Sequence, residues 1–271
     1  MSIIGAYVVP HPPIILPEVG KGEEHKIQKT IDGYQKVANE IADIAPETII
    51  LTSPHSILYS DYFHISPGTS ASGDLRQFGV SGVVVEAEYD TELVSTIETM
   101  AAETGIPAGT AGERDPKLDH ATLIPLHFIE QAWHSDQPHY QVVRIGLSRL
   151  SLQTHYEFGK CIADAVEKLG RRVVFVASGD LSHRLKKDGP YGYIEEGPEF
   201  DRQITNIMRT AKFDRLFKLD PILYEKAGEC GLRSIVIMAG ALDGKAVEPE
   251  LISYEGPFGV GYGISSYKIK A

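Results

Sequence analysis

Residues 173–183 read VVFVASGDLSH, an apolar run followed by a polar segment that ends in His183. A short continuous apolar run is typical of a strand that is buried on both faces of a parallel sheet. Two more apolar runs, IIGAYVV and TIILT, are followed within a few residues by His11 and His55. Ligands of open α/β sheets bind at the carboxyl ends of the strands. We therefore expect His11, His55 and His183 to converge in one cleft.

Short apolar runs alternate with longer amphipathic segments along the whole chain. The predicted strands are Ile3–Val9, Thr48–Thr52, Tyr62–Ile65, Gly82–Ala87, Gln141–Ile145, Val173–Ala177 and a late strand pair within Gly256–Ile269. The predicted helices are Lys26–Ile44, Thr91–Glu103, Asp119–Trp133, Ser151–Leu169, Glu199–Ala211 and Leu232–Leu242. The alternation predicts one α/β domain, residues 1–271, whose central mixed, largely parallel sheet is flanked by helices on both faces.

The composition limits the partners and the compartment. The chain of 271 residues has a net charge of −11, and its acidic residues are spread along the sequence. A nucleic-acid partner is not expected, because such binders need a basic surface. We recognise no signal peptide and no apolar stretch long enough to cross a membrane. The two cysteines, Cys161 and Cys230, are too few for a disulfide framework, so we expect a cytoplasmic protein.

His11 and His55 each follow a proline, Pro10 and Pro54. Proline restricts the backbone just ahead of each imidazole, which helps to hold a metal ligand in a fixed direction. Two histidines and one carboxylate form a facial triad with an open face, the arrangement that suits non-haem Fe(II). Among the 37 acidic residues, Glu229 is attractive because glycines flank its segment. Spacing alone does not separate it from Glu18, Asp119 or Asp180.

Five short features occur in a fixed order: PHPP at 10–13, SPH at 53–55, LDHATLIPL at 118–126, GDLSH at 179–183, and Glu229. Together they resemble the class III extradiol ring-cleavage dioxygenases, the family of the protocatechuate 4,5-dioxygenase catalytic subunit. The resemblance covers nearly the whole chain. It implies a non-haem Fe(II) enzyme that cleaves a catechol-type aromatic diol with dioxygen. It also implies a homodimer or homo-oligomer, with or without a partner subunit.

The same resemblance implies roles for individual residues. His11, His55 and Glu229 would bind the Fe(II) ion. His183 would be the acid/base residue of the reaction. His120 would lie over the substrate, where it assists proton transfer or stabilises an oxygen intermediate.

Residues 254–262, YEGPFGVGY, resemble a sub-branch related to the Memo proteins. Memo proteins share the fold and carry a cysteine near the position of the late glutamate, whereas this chain has Glu229 followed directly by Cys230. A Memo-like metal-binding or redox protein without ring cleavage is therefore an alternative. A zinc-dependent enzyme is another, because two histidines and a glutamate also form a catalytic zinc site.

Overall fold

The central sheet of this protein contains six strands in the computed structural model, which describes residues 2–270. The strands of the chain are β1 (Ile3–Val9), β2 (Thr48–Ser53), β3 (Phe63–His64), β4 (Ser70–Leu75), β5 (Val80–Glu88), β6 (Ala108–Gly109), β7 (Gln141–Gly146), β8 (Val173–Ser178), β9 (Val247–Glu255) and β10 (Tyr262–Ile269). The central order is β7-β2-β8-β1-β10-β9, while β3 pairs with β6 and β4 pairs with β5. Strands β7, β2, β8 and β1 are parallel, and β10 and β9 are antiparallel additions, which confirms the mixed, largely parallel sheet.

Helices cover both faces of this sheet. They are α1 (Pro17–Gly20), α2 (Gln28–Ile44), α3 (Thr91–Thr104), α4 (His120–Ala132), α5 (Leu152–Leu169), α6 (Glu196–Thr210), α7 (Pro221–Ala227) and α8 (Leu232–Ala241). Side chains alternate along each strand, so Tyr7 and Val9 pack against α2 and α4, while Ala6 and Val8 pack toward α3, α5, α6 and α8. Two apolar layers therefore enclose the sheet. No helix in residues 2–270 has the length and apolar character needed to cross a membrane.

The late strand pair lies earlier in the chain than the sequence predicts. Its first strand is β9, and residues 256–261 connect it to β10. The sequence of β9, VEPELISYE, contains a proline and three glutamates, so it lacks the apolar run that marks the other strands. Pro249 is tolerated because β9 is an edge strand, hydrogen-bonded to a neighbour on only one side.

Helices α5 and α8 touch through their backbones. An ideal Cβ atom on Gly159 would lie 2.0 Å from the carbonyl oxygen of Ile237, and one on Gly240 would lie 2.0 Å from that of Tyr156. Any side chain at either position must therefore separate the two helices. This close approach packs α8 directly against α5.

Gly159→Ala is expected to lower the free energy of unfolding by about 1–3 kcal/mol, because the added methyl group overpacks the α5–α8 contact. Chemical denaturation measures the change. Gly82→Ala is the control, since a Cβ atom at Gly82 would meet nothing within 4 Å. Equal stabilities of the two variants would contradict the proposed backbone contact.

Candidate metal centre

Three histidines meet at the carboxyl edge of the central sheet. His11 follows β1, His55 follows β2, and His120 is the first residue of α4. Their ligating nitrogen atoms lie within 4.8 Å of one another. The ring centroids of His11 and His55 are 4.9 Å apart, and the ring of His120 lies 5.3 Å from the first and 4.4 Å from the second. This histidine cluster, His11, His55 and His120, offers three nitrogen ligands to a single ion.

His11 is the buried member of the histidine cluster. Its backbone N–H donates to Oδ1 of Asp180 at 2.8 Å, and its Nδ1 lies 3.0 Å from the hydroxyl oxygen of Ser178. Both partners come from the end of β8, the strand next to β1. Tyr34 donates a hydrogen bond to the carbonyl of Pro10, which fixes the preceding residue. Because Nδ1 is engaged, Nε2 is the nitrogen that remains for a metal ion.

The loop after β8 touches the segment before α8. An ideal Cβ atom on Gly179 would lie 2.1 Å from the Cα atom of Gly231, so the two backbones meet only because both residues are glycine. This contact brings Cys230 to the site. Its N–H donates to the carbonyl of Asp180 at 3.2 Å, and its Sγ lies 3.6 Å from Nε2 of His11.

The carboxylate of Asp119 joins three elements beside the histidine cluster. Its Oδ1 accepts from the hydroxyl of Ser53 at 2.6 Å and from two backbone N–H groups that begin α4. Its Oδ2 accepts from Nη2 of Arg144 on β7 at 2.8 Å, and side-chain exposure is only 3% for Arg144 and 11% for Asp119. Ser53 lies two residues before His55, and Asp119 directly precedes His120. The buried ion pair of Asp119 and Arg144 therefore helps to position His55 and His120.

Burial favours the neutral form of His11 and His120. The pKa of His120 is lowered to about 3, by burial first and then by His11 and His55. The pKa of His11 lies well below its ordinary value, again because of burial first and His55 next. Asp119 raises both pKa values but does not offset the burial, since its charge is already paired with Arg144. Neutral imidazole is the form that binds metal ions, so these residues fit a metal centre.

His183 lies beside the histidine cluster, near enough that His11 and His55 each take part in an electrostatic interaction with it. Its Nδ1 is 3.1 Å from the carbonyl oxygen of Leu181. A carbonyl only accepts, so Nδ1 carries the hydrogen and Nε2 keeps the lone pair. Burial lowers the pKa of His183, and Asp180 opposes that shift. His183 is thus a candidate base at the same sheet edge.

Glu229 is not brought into the histidine cluster. One of its carboxylate oxygens accepts the N–H of Leu232 at 2.6 Å, at the start of α8. Burial of the carboxyl group raises its pKa to about 7, and Arg233 only partly opposes the shift. The prediction that Glu229 is a metal ligand therefore remains a prediction, and His120 occupies a position that the sequence did not assign to a ligand.

A second buried carboxyl group holds the loop that carries His183. Asp201, on α6, accepts from the N–H of Ser182 at 2.8 Å and from the hydroxyl of Tyr254 at 2.7 Å. Burial raises the pKa of Asp201 to about 7. Neither Asp201 nor Arg144 was identified from the sequence. Arg144 does carry a signal, because it is the only charged residue in the strand QVVRIG.

A parallel sheet with a histidine cluster at its carboxyl edge defines an α/β protein with a candidate metal centre. The family described as "Catalytic LigB subunit of aromatic ring-opening dioxygenase" matches residues 5–265, and the chain belongs to this family. The family resemblance of the sequence is thereby confirmed.

Relatives show how broad this family is. A Clostridium acetobutylicum protein known by a locus name is 40% identical over 97% of this chain, which spans only 57% of that protein's length. The 2-aminophenol 1,6-dioxygenase beta subunit of a Pseudomonas species is 25% identical, with coverage of 99% of this chain and 94% of its own. The 3,4-dihydroxyphenylacetate 2,3-dioxygenase of Escherichia coli is also 25% identical, with coverage of 88% and 89%.

Memo-type proteins are relatives as well. A MEMO1 family protein of Thermococcus onnurineus is 26% identical over 80% of this chain and 72% of its own length. The chain therefore has relatives named as dioxygenases and relatives named only as Memo proteins, as its closing segment predicts.

Arg144→Met is expected to lower the free energy of unfolding by about 3 kcal/mol, because it leaves the carboxylate of Asp119 buried without its cation. The double variant Asp119→Asn/Arg144→Met should cost less than the sum of the two single changes. Urea denaturation of the four proteins measures this coupling. Lys218→Met is the control, since Lys218 and Asp214 form an exposed ion pair worth little. Additive single effects would contradict the buried pair.

Asp201→Asn is expected to make stability less dependent on pH. Folding raises the pKa of this carboxyl group from 3.8 to about 7, so the folded protein retains a proton that the unfolded chain releases. The wild type should therefore lose stability relative to the variant as pH rises from 4 to about 7, by a few kcal/mol. Thermal unfolding of both proteins across this range measures the difference. A difference that does not change with pH would contradict the assignment.

Proposed function

We propose that this protein is a metal-dependent dioxygenase, with Fe(II) as its metal, that cleaves the ring of a catechol-type aromatic diol. The observation that carries the proposal is the convergence of His11, His55 and His120 at the carboxyl edge of the sheet. Membership of the family of catalytic ring-opening dioxygenase subunits supports the reaction class. A relative named for an aromatic diol, 3,4-dihydroxyphenylacetate, supports the substrate class.

We assign two of the metal ligands to His11 and His55. The resemblance implies Glu229 as the third, and one of its two carboxylate oxygens accepts the N–H of Leu232. The geometry supports His120 as the competing third ligand, because its nitrogen lies within the histidine cluster. A bound Fe(II) ion would supply an open face at which the diol and dioxygen meet. The same donors also suit Zn(II).

The remaining residues handle protons. Nε2 of His183 can take a proton from a substrate hydroxyl, because the carbonyl of Leu181 fixes the ring with its hydrogen on Nδ1. His120 is neutral at physiological pH, so it can give or accept a hydrogen bond over the substrate without adding charge. The carboxylate of Asp180 accepts the N–H of His11, and therefore ties this proton-handling loop to the first ligand.

The second candidate is a Memo-like metal-binding or redox protein without ring cleavage. The position of Cys230 favours it, since Sγ lies 3.6 Å from Nε2 of His11 whereas Glu229 binds a backbone amide. A thiolate at this position would give a softer ligand set than two histidines and a carboxylate. The two candidates thus differ in which side chain of the pair Glu229–Cys230 contacts the ion.

We also propose a cytoplasmic enzyme that forms a homodimer or homo-oligomer, or that binds a partner subunit. Free Cys161 and Cys230 suit a reducing compartment. The name of the Pseudomonas relative, a beta subunit, supports a partner subunit.

Metal analysis of purified variants tests the ligands. His11→Ala and His55→Ala should each lose most of the bound metal, and His25→Ala should keep it because that side chain is 75% exposed. Loss of metal in Glu229→Gln but not in Cys230→Ser or His120→Gln would support the proposed ligand set. Loss in Cys230→Ser, with Cys161→Ser as its control, would favour the Memo-like reading. Retention of metal in both His11→Ala and His55→Ala would contradict the site.

Oxygen uptake by the Fe(II)-loaded protein tests the reaction. Catechols should cause uptake and give a yellow ring-opened product. His183→Gln should lower turnover about a hundredfold while metal content stays unchanged, because it removes the base and no ligand. Absence of uptake with every catechol, in protein that holds iron, would contradict the dioxygenase.

A further inference from the structure

The turn between β4 and β5 carries two side chains over His120. Residues Arg76–Phe78 form a single 3₁₀ turn that ends at Gly79, whose φ of 82° favours glycine. The ring of Phe78 meets that of His120 edge to face, with centroids 5.2 Å apart, and Nε2 of Gln77 lies 3.4 Å from Nδ1 of His120. Phe78 is nevertheless 37% exposed.

This hairpin is anchored at the base of the site. The N–H of Leu118 donates to the carbonyl of Ser72 at 3.0 Å, and an ideal Cβ atom on Gly73 would lie 2.4 Å from the carbonyl oxygen of Leu118. Leu118 is followed by Asp119 and His120. The β4 strand and the start of α4 are therefore held together, so the position of Phe78 over His120 is built into the fold.

A second exposed ring stands over His183. The ring of Tyr191 meets that of His183 edge to face at 5.2 Å, and Tyr191 is 60% exposed. The loop that carries Tyr191 is held by backbone contacts of residues before and after it in the sequence. The N–H of Leu185 donates to the carbonyl of Gly259 at 3.0 Å, and Leu185 forms a bridge with Tyr193.

These two rings differ from the other exposed aromatic side chains of residues 2–270. Tyr193, Phe217 and Tyr254 are also exposed, but none of them packs against a histidine of the site. Isolated exposed aromatic residues are ordinary. Phe78 contacts His120 of the histidine cluster, and Tyr191 contacts His183 beside it. Surface composition does not explain why two exposed rings, on two separate anchored loops, share this location.

We propose that Phe78 and Tyr191 are the two aromatic walls of the substrate mouth, and that they select planar aromatic ligands by ring contact. The inference rests on the proposed function and refines its substrate class. An aromatic ligand placed at the metal centre would lie beside His120 and His183, where it covers the exposed faces of both rings. Edge-to-face and offset contacts between rings then favour an aromatic diol over an aliphatic one.

Binding measured without turnover tests this inference. Anaerobic titration calorimetry gives the dissociation constant of catechol for the metal-loaded wild type, Phe78→Leu, Tyr191→Leu and the control Phe217→Leu. Phe217 is a matched control because it is 39% exposed and packs on Tyr156 instead of a site histidine. Phe78→Leu and Tyr191→Leu should each raise the dissociation constant about fivefold to tenfold. Metal content and melting temperature should stay at the wild-type values.

Dissociation constants that match the control in both variants would overturn the inference. Its failure can be told apart from failure of the proposed function. If the wild type binds catechol but takes up no oxygen, and the two variants still bind more weakly, the role of Phe78 and Tyr191 is supported and the dioxygenase function is contradicted. If the wild type takes up oxygen with catechol and the variants bind as the control does, the dioxygenase function is supported and the role of Phe78 and Tyr191 is contradicted. A wild type that binds no catechol overturns both.

Discussion

Parallel pairing of β2, β8 and β1 is the constraint on which the site depends. It brings the ends of three strands, distant in sequence, to one edge of the sheet. The buried carboxylate of Asp119 then connects that edge to the start of α4, through Ser53 and Arg144. His55 and His120 are held by this connection, and His11 is held by Ser178 and Asp180 at the end of β8. The histidine cluster therefore depends on strand order and on two buried acidic residues, Asp119 and Asp180.

Local patterns predicted much of this arrangement. Neighbouring residues alone determine the apolar runs of β1, β2, β7 and β8 and the periodicity of the main helices. These local patterns therefore predict the strands, the helices and the α/β class. His11 and His55 could be chosen because each follows a proline directly after such a run. The start of α4 followed from Asp119, whose side chain caps the helix as its position suggests.

Other features depend on contacts between distant residues and could not be predicted. The approach of Gly179 to Gly231 places Cys230 beside His11, and no local pattern encodes that contact. Strand β9 was missed because an edge strand needs no continuous apolar run. The sequence predicts only one strand, β5, of the hairpin that carries Phe78, because every residue of β4 except Leu75 is small or polar. The role of Glu229 as a metal ligand comes from the family resemblance and stays a prediction.

Anomalous diffraction from crystals of the iron-loaded protein, collected at the iron absorption edge, tests the central claim most directly. The account predicts one peak at the carboxyl edge of the sheet, within about 2.0–2.3 Å of a nitrogen of His11 and of a nitrogen of His55. The same map identifies the third contacting atom. A strong peak elsewhere on the protein, with both of these imidazoles free of metal, would contradict the account.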